Sequence, residues 1–428
     1  MAFRFIHTAD IHLDSPLRSL ALRDPALSDL IGTATRTAFV RIIDLCLAEA
    51  VDALLIAGDL YDGQQTSMKT ARFLGQQLQR LEAAGVRVFI IRGNHDALSK
   101  ITRELVLPPS VTLFGPKAET HQIAPPRQSG TRPIAVHGIS FAKPLAPDSL
   151  LGRFPAPLAD TVNIGMLHTS LAGAPGHNPY APCSLADLNA SGHDYWALGH
   201  IHARAEYLGA ATVVMPGMPQ GRDIGEAGEK SITLVTVADD GSISLETRVT
   251  AQAQFERVPV ALDGLTDWAD LVVALGRALT RARRDFRGEH LVLRPVLGGQ
   301  SPLAWRVLRD LDLLHEEARL AAEALDGVWI DKLENACTTR AAGQGAGFDA
   351  GTGPLADLAR EMAATLASPA LGAEAEAEAS VLLRALPRAL RQLWGEDEAQ
   401  MARLRQQLLH EGAAEVLAAL TPTPEEEV

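Results

Sequence analysis

The sequence predicts an α/β fold that is followed by a smaller α+β domain and a helical C-terminal tail. Apolar runs of strand length recur between stretches of helical periodicity, as in FRFIHTAD, DALLIAGD, VRVFIIRGN and YWALGHIH. Continuous apolar runs that alternate with helices are typical of strands buried on both faces. Polar residues follow nearly every run, and ligands of such sheets gather beyond the carboxyl ends of the strands.

The first 252 residues contain these strands and the two clearest connecting helices. The connecting helices are predicted at Arg36–Ala50 and around Lys69–Ala84. The runs SITLVTV and SISLETRV, joined by the turn ADDG, predict a hairpin that closes the domain. The first domain is therefore predicted to span 1–252.

The pattern changes at about Phe255. A helix is predicted from Asp267 to about Arg284 and another from about Ser301 to Leu325, each lying between strand-like runs. The strand-like runs are FERVPVAL, EHLVLRPVL and VWIDKLEN. This alternation predicts a compact α+β domain over 253–337.

The remainder of the chain has the composition of a linker and a tail. Residues 338–355 are Gly-rich and predict a flexible linker, whereas 356–428 are rich in Ala, Leu and Glu and predict helices interrupted at Pro387 and near Gly395. Residues 351–428 carry thirteen Asp and Glu against six Lys and Arg. Either the tail packs on its own chain or it is a docking element, and the sequence leaves both readings open.

Composition excludes several classes of protein. The formal charge of −13 argues against a protein that holds nucleic acid on a general basic surface, although it allows a local basic groove. Cys46, Cys183 and Cys337 are too few and too far apart for a disulfide framework or a zinc ribbon. The N-terminal segment is too short and polar for a signal peptide, and no apolar run reaches membrane-spanning length, so we expect a cytoplasmic protein without membrane contact.

Seven nitrogen and oxygen donors follow the strands of the first domain. They are Asp10, His12, Asp59, Asn94, His168, His200 and His202. Residues two apart on an extended segment point the same way, so Asp10 with His12 and His200 with His202 can offer paired donors. Imidazole, carboxylate and amide ligands without thiolate suit Mn²⁺ or Fe²⁺ and would also bind Zn²⁺. The pattern predicts a site for divalent metal ions.

The order of these motifs resembles a known family. D-x-H, G-D-x-x-D, G-N-H-D, a later His and G-H-x-H are similar to the motifs of the calcineurin-like metallophosphoesterase superfamily, and within it to the SbcD/YhaO-type DNA repair exonucleases. The stretch Leu167–His202 is particularly YhaO-like, and the resemblance covers about 1–335. It implies a β-sandwich flanked by helices with a capping domain behind it.

The resemblance also implies a role for each donor. One metal would be held by Asp10, His12, Asp59 and His202. The other would be held by Asp59, Asn94, His168 and His200, with Asp59 as the bridge. His95 would be the catalytic histidine, and Asp62 would lie just outside the ligands.

By resemblance, the expected function is two-metal-dependent exonuclease cleavage of DNA. The expected partner is an SMC-like coiled-coil ATPase of the SbcC/YhaN type, and the chain is expected to form a homodimer. Arg222, after a strand, is a candidate DNA contact. Arg277, Arg281 and Arg284 share one helix face and are further candidates, although an ordinary amphipathic helix explains them too.

Other functions stay open. They are a phosphomonoesterase, a cyclic-nucleotide phosphodiesterase and a catalytically silent scaffold for the ATPase. The Ser/Thr phosphatases of the superfamily carry a phosphate-gripping Arg where this chain has Gly63, and the ligand set of the motifs is complete. The first observation argues against a Ser/Thr phosphatase, and the second argues against the silent scaffold.

Overall fold

A computed structural model describes residues 2–15, 25–62, 67–97, 107–123, 132–171, 180–338, 354–386, 394 and 397–421. Gly63, Pro387, Gly395 and most of the predicted linker at 338–355 lie outside these residues.

The strands and helices of the described residues are numbered in chain order. The strands are β1 Phe3–Thr8, β2 Ala53–Ala57, β3 Arg87–Ile91, β4 Val111–Leu113, β5 Glu119–Ile123, β6 Ile134–Gly138, β7 Val162–His168, β8 Tyr195–Gly199, β9 Ala205–Leu208, β10 Thr212–Met215, β11 Ser231–Val237, β12 Ile243–Val249, β13 Ala253–Ala261, β14 His290–Gln300, β15 Val328–Ile330 and β16 Glu334–Thr338. The α-helices are α1 Pro25–Ala48, α2 Met68–Ala83, α3 Leu185–Ala190, α4 Trp268–Asp285, α5 Ala304–Arg309, α6 Leu311–Glu323, α7 Pro354–Leu366, α8 Pro369–Ala385 and α9 Glu398–Ala419.

Two six-stranded sheets carry the motifs. The first has the order β12-β11-β1-β2-β3-β4, and the second has the order β5-β6-β7-β8-β10-β9. Strands β1 to β4 run parallel, as do β6, β7, β8 and β10. The predicted hairpin is present as β11 and β12, which pair antiparallel at the edge of the first sheet.

The two sheets pack face to face, and helices cover the outer face of the first. Phe5 and Leu55 of the first sheet lie in one core cluster with Ile164 and Tyr195 of the second. The alternate residues of the first sheet, such as Ile6, lie in a second cluster with side chains of α1 and α2. Side chains alternate between the faces of a strand, so each strand is apolar on both. The predicted β-sandwich flanked by helices is confirmed.

Helix α1 is longer than predicted. It begins at Pro25 rather than Arg36, because Leu27, Ile31 and Ala34 bury one face of the added turns. Burial of this face outweighs the weak helix propensity of the Gly and Thr residues in this segment. The helix ends at Ala48, before Ala50 takes a left-handed conformation with φ of 47°.

The third sheet contains β13, β14, β15 and β16, with β16 pairing in parallel with the end of β14. The single helix predicted from Ser301 to Leu325 is wrong. Two helices, α5 and α6, meet at Asp310, whose ψ of 28° is not helical. The guanidinium groups of Arg306 and Arg309 both bind the Asp310 carboxylate, which stabilises the junction.

Contacts divide the chain into two compact units. One contains Met1–Glu256 with Phe286–Val292, and the other contains Arg257–Asp285 with Leu293–Val428. The tail helices thus belong to the same unit as α4 to α6, and the predicted four-part division stays a prediction. Among the described residues, no helix is both long and apolar enough to cross a membrane.

The tail packs on its own chain. Helix α9 lies against α5, where Arg309 donates a hydrogen bond to the Thr421 carbonyl at 3.0 Å. Leu417 and Ala418 are buried there. Several apolar side chains of α8, α9 and the following residue remain exposed. They are Val381, Leu382, Leu408, Val416 and Leu420.

Candidate metal centre

The motifs meet because they follow neighbouring strands of two facing sheets. Loops after β1, β2 and β3 come from the first sheet, and loops after β7 and β8 come from the second. Backbone hydrogen bonds join the first two loops: Asp10 N donates to the Gly58 carbonyl at 3.1 Å, and His12 N donates to the Asp59 carbonyl at 3.0 Å. These five loops, which we call the rim, carry the donors, and hydrogen bonds fix the first two loops to each other.

Four of the seven donors have a backbone with positive φ. The angles are 51° at Asp10, 45° at His12, 50° at Asp59 and 102° at His200. Asp and His tolerate the left-handed region better than most residues, but a φ near 100° is unusual for any residue other than Gly. Strained residues of this kind cluster at functional sites, where the surrounding structure holds them.

Asp10, His12 and His202 form the first group of donors. One ligand atom of each lies within 4.8 Å of the others. His12 Nδ1 donates to Asp62 Oδ1 at 2.8 Å, and His202 Nδ1 donates to Glu226 Oε1 at 2.9 Å. The two Nε2 atoms are left facing each other at 3.3 Å.

Asp59, His168 and His200 form the second group, again with ligand atoms within 4.8 Å. His168 Nδ1 donates to the Ala57 carbonyl at 2.9 Å, so its Nε2 faces the site. That nitrogen lies 3.0 Å from Asn94 Oδ1 and 3.3 Å from Asp59 Oδ2. Asn94 Oδ1 also lies 3.2 Å from His200 Nδ1. The amide oxygen of Asn94 therefore points into this group.

Both groups fit divalent metal ions. Two nitrogens that bind the same ion at about 2.1 Å with tetrahedral angles lie about 3.4 Å from each other. The His12 and His202 Nε2 atoms have nearly this separation. Burial by itself would lower the pKa of His168, but Asp59, Asp10 and the Ala57 carbonyl raise it to about 9. The second group thus attracts positive charge, which an ion would supply.

Glycines of the motifs let the rim close around His168. A Cβ on Gly93 would lie 2.3 Å from Asp59 Oδ1 and 2.6 Å from the His168 ring. A Cβ on Gly199 would lie 2.1 Å from the Ala57 carbonyl oxygen. No real Cβ approaches this closely, so only Gly fits where the loops after β3 and β8 converge.

His95 lies beside the donors but in a different environment. Its Nδ1 is 3.1 Å from Asp62 Oδ1, and about half of its side chain is exposed. The hydrogen bond to Asp62, followed by the charges of Asp59 and Asp62, raises the pKa of His95 against the effect of burial. Its backbone N–H donates to Asp59 Oδ1 at 2.9 Å, which fixes His95 to the rim.

Asp96 holds the loop that carries Asn94 and His95. Its carboxylate accepts from Gly93 N at 2.7 Å and from Leu60 N at 3.0 Å. Burial, followed by the charge of Asp59, raises the pKa of Asp96 to about 7. Asp96 thus joins the loops after β2 and β3 without pointing into the donor groups.

Glu226 is a residue that the sequence analysis missed. It binds His202 and also Arg222, whose Nε lies 3.1 Å from Glu226 Oε2 and whose Nη2 lies 2.5 Å from Oε1. The predicted DNA contact Arg222 is therefore engaged in an ion pair at the rim. Glu226 lies outside the motifs of the sequence, and its contact with His202 depends on how the chain folds.

The other predicted DNA contacts lie on helix α4. Arg277, Arg281 and Arg284 are exposed and line a shallow groove of about 480 Å³, whereas Leu275 and Leu279 are buried. Among the described residues, Arg284 pairs with Asp285 at 3.0 Å, while Arg277 and Arg281 form no ion pair. The face therefore presents positive charge.

Comparison with known proteins identifies two family models. Residues 3–204 match the calcineurin-like phosphoesterase model, which covers the strands and loops of the donor site. Residues 255–338 match the middle domain of metallophosphoesterase YhaO, which covers the third sheet with α4 to α6.

Similar proteins include metallophosphoesterases and repair proteins. The chain is 34% identical to the uncharacterized metallophosphoesterase YhaO of Bacillus subtilis over 70% of this chain and 72% of that protein. It is 27% identical to the DNA double-strand break repair protein Mre11 of Methanopyrus kandleri, over 51% of this chain and 49% of that protein. It is 34% identical to the SbcD component of the nuclease SbcCD of Rhodobacter capsulatus, over 23% of this chain and 22% of that protein.

The match to YhaO extends over most of both chains, whereas the Mre11 match spans about half of that protein's length. Together with the model match over the donor site, this places the chain among metal-dependent phosphoester hydrolases. The chain belongs to the calcineurin-like metallophosphoesterase family.

Proposed function

We propose that the chain is a two-metal-dependent DNA exonuclease that acts in DNA repair. The observation that carries the proposal is the assembled site: two groups of donors lie at the strand ends, and His95 contacts Asp62 beside them. The similarity to Mre11 and to the SbcD component of nuclease SbcCD favours DNA as the substrate. The YhaO-type middle domain and the arginine face of α4 add surface that a small substrate does not need.

The ligands of the proposed centre follow the two donor groups. Asp10, His12 and His202 would hold one ion, and Asn94, His168 and His200 would hold the other. Asp59 would bridge them. Mn²⁺ suits this donor set best, and Fe²⁺ or Zn²⁺ would also bind. Bound ions would supply Lewis acidity at the phosphodiester and a nucleophile at neutral pH.

His95 would donate a proton to the leaving oxygen. Its Nδ1 is directed to Asp62, so its Nε2 is the atom available to substrate. The raised pKa keeps this imidazole protonated over a wider pH range, and a positioned acid contributes roughly 10²- to 10⁴-fold to the rate. Asp62 fixes the ring and would not itself contact the metals.

Replacing His95 tests the nuclease assignment. For His95→Ala we expect Mn²⁺-dependent cleavage of end-labelled linear DNA to fall by roughly 10²- to 10⁴-fold, since the proton donor is lost. The metal content of the variant should equal that of the wild type because His95 is not a ligand. The matched control is His410→Ala, which removes an exposed histidine of α9.

Two other results of this assay would contradict the proposal. Turnover of a small phosphomonoester or a cyclic nucleotide without DNA cleavage would assign the site to a phosphatase or a cyclic-nucleotide phosphodiesterase. Metal-loaded wild-type protein that cleaves none of these substrates would instead support the silent scaffold.

The arginine face of α4 is the proposed contact with the DNA backbone. Its three guanidinium groups are exposed together, and phosphate contacts come mainly from such side chains. Arg222 is better placed to hold Glu226 than to reach DNA, because its guanidinium already binds that carboxylate.

Changing all three arginines to Gln should weaken DNA binding and its dependence on salt. The slope of log affinity against log salt should decrease by about 0.9 for each phosphate contact that is lost. Hydrolysis of a small phosphodiester should not change. Arg319→Gln is the control, since Arg319 is exposed on α6 but paired with Glu316 and Glu323. An unchanged slope would remove α4 from the DNA contact.

The proposed partner is an SMC-like coiled-coil ATPase, and the exposed apolar residues of α8 and α9 are its proposed docking surface. Exposed Val381, Leu382 and Leu408 would bury against a coiled coil. This proposal rests on the similarity to the SbcD component of nuclease SbcCD and on the surface that the tail leaves uncovered.

Charged substitutions in the tail test the docking surface. Leu382→Asp with Leu408→Asp should reduce recovery of the organism's SMC-like ATPase in a pull-down at least tenfold, because a buried charge opposes an apolar contact. Leu145→Asp, an exposed leucine of the first unit, is the control and should have no effect. Equal recovery by the tail variant would exclude this surface.

A further inference from the structure

We propose that Glu226, held by Arg222, is a positioning residue that orients His202 in the proposed metal centre. This inference rests on the proposed two-metal function and assigns a role to the loop Gly221–Glu226. The loop supplies none of the predicted metal ligands, yet two of its charged side chains make contacts beside the donors: Glu226 binds His202, and Arg222 binds Ser15.

The loop is built to direct Glu226 back toward Arg222. Asp223 accepts a hydrogen bond from Gly225 N at 2.8 Å, and Glu226 N donates to the Asp223 carbonyl at 3.0 Å, which closes a single turn of 3₁₀ helix. A Cβ on Gly221 would lie 2.8 Å from the Glu226 carbonyl oxygen, so the close return of the chain requires Gly there. Ile224 is buried and anchors the turn.

Arg222 fixes the Glu226 carboxylate from several directions. The Arg222 backbone N–H donates to Oε2 at 2.8 Å, and the guanidinium contacts both carboxylate oxygens. The carboxylate that faces His202 is therefore held in place.

A carboxylate held at this position determines how His202 presents its ring. Glu226 Oε1 accepts from His202 Nδ1 at 2.9 Å, so the lone pair of the neutral imidazole is on Nε2, which faces His12 Nε2. Carboxylates that bind the outer nitrogen of a metal-binding histidine fix its tautomer and raise its basicity. Glu226 would do so for His202 as Asp62 does for His12.

The contacts continue beyond His202. Arg222 Nη1 lies 3.3 Å from Ser15 Oγ, and Ser15 Oγ donates to Asp62. Asp62 then binds His12 Nδ1 and His95 Nδ1. An unbroken series of hydrogen bonds therefore joins His202 to His95, and Arg222 lies at its centre. Movement of the loop would disturb three imidazole rings together.

Titration of the metal-free full-length chain with Mn²⁺ by calorimetry tests this role. For Glu226→Gln we expect the affinity of one of the two sites to fall roughly 10- to 100-fold, with the other site unchanged, because only the first donor group contacts Glu226. Arg222→Lys should weaken the same site, since a lysine cannot bind both carboxylate oxygens. Thermal unfolding of the metal-free variants checks that they fold.

Glu206→Gln is the matched control, because Glu206 also pairs with an arginine, Arg204, but lies on β9. It should bind Mn²⁺ as the wild type does. Wild-type binding at two sites with no change in Glu226→Gln and Arg222→Lys would overturn the positioning role and leave the proposed function intact. A wild-type chain that binds fewer than two ions would overturn both. If Glu226→Gln fails to fold, Arg222→Lys alone decides between these results.

Discussion

The site depends on the convergence of imidazole, carboxylate and amide groups that can bind cations. His12 and His202 each direct Nδ1 to a carboxylate, which leaves two Nε2 lone pairs facing each other at 3.3 Å. In the other group, the Asn94 and Asp59 oxygens face His168 Nε2. The carboxylates favour positive charge among these donors, as the raised pKa of His168 shows. Two divalent ions would satisfy both groups.

The large apolar core of the two sheets stabilises the loops that hold these donors close together. Loops after strands of two facing sheets supply the donors. Gly93 and Gly199 allow these segments to pack closely, because a Cβ at either position would clash with its neighbours. Four donors keep a left-handed backbone that an isolated peptide would avoid. The apolar clusters on both faces of the first sheet hold this strained rim in place.

The sequence was informative where a local pattern has a direct structural consequence. Apolar runs predicted the strands, and polar residues at their ends predicted the donors that the rim brings together. It was uninformative where contacts depend on the folded chain. Glu226 meets His202 through a turn with no motif, and Asp310 divides a helix through its arginine partners. Helix α1 extends to Pro25 because one face of its first turns is buried.

The most direct test of the account is a crystal of the full-length chain grown with Mn²⁺ and measured by anomalous scattering. Two peaks roughly 3.5–4 Å apart, one beside His12 and His202 and one beside His168 and Asn94, with Asp59 between them, are the predicted result. A single peak, or peaks remote from these side chains, would contradict the two-metal centre on which the proposed nuclease rests.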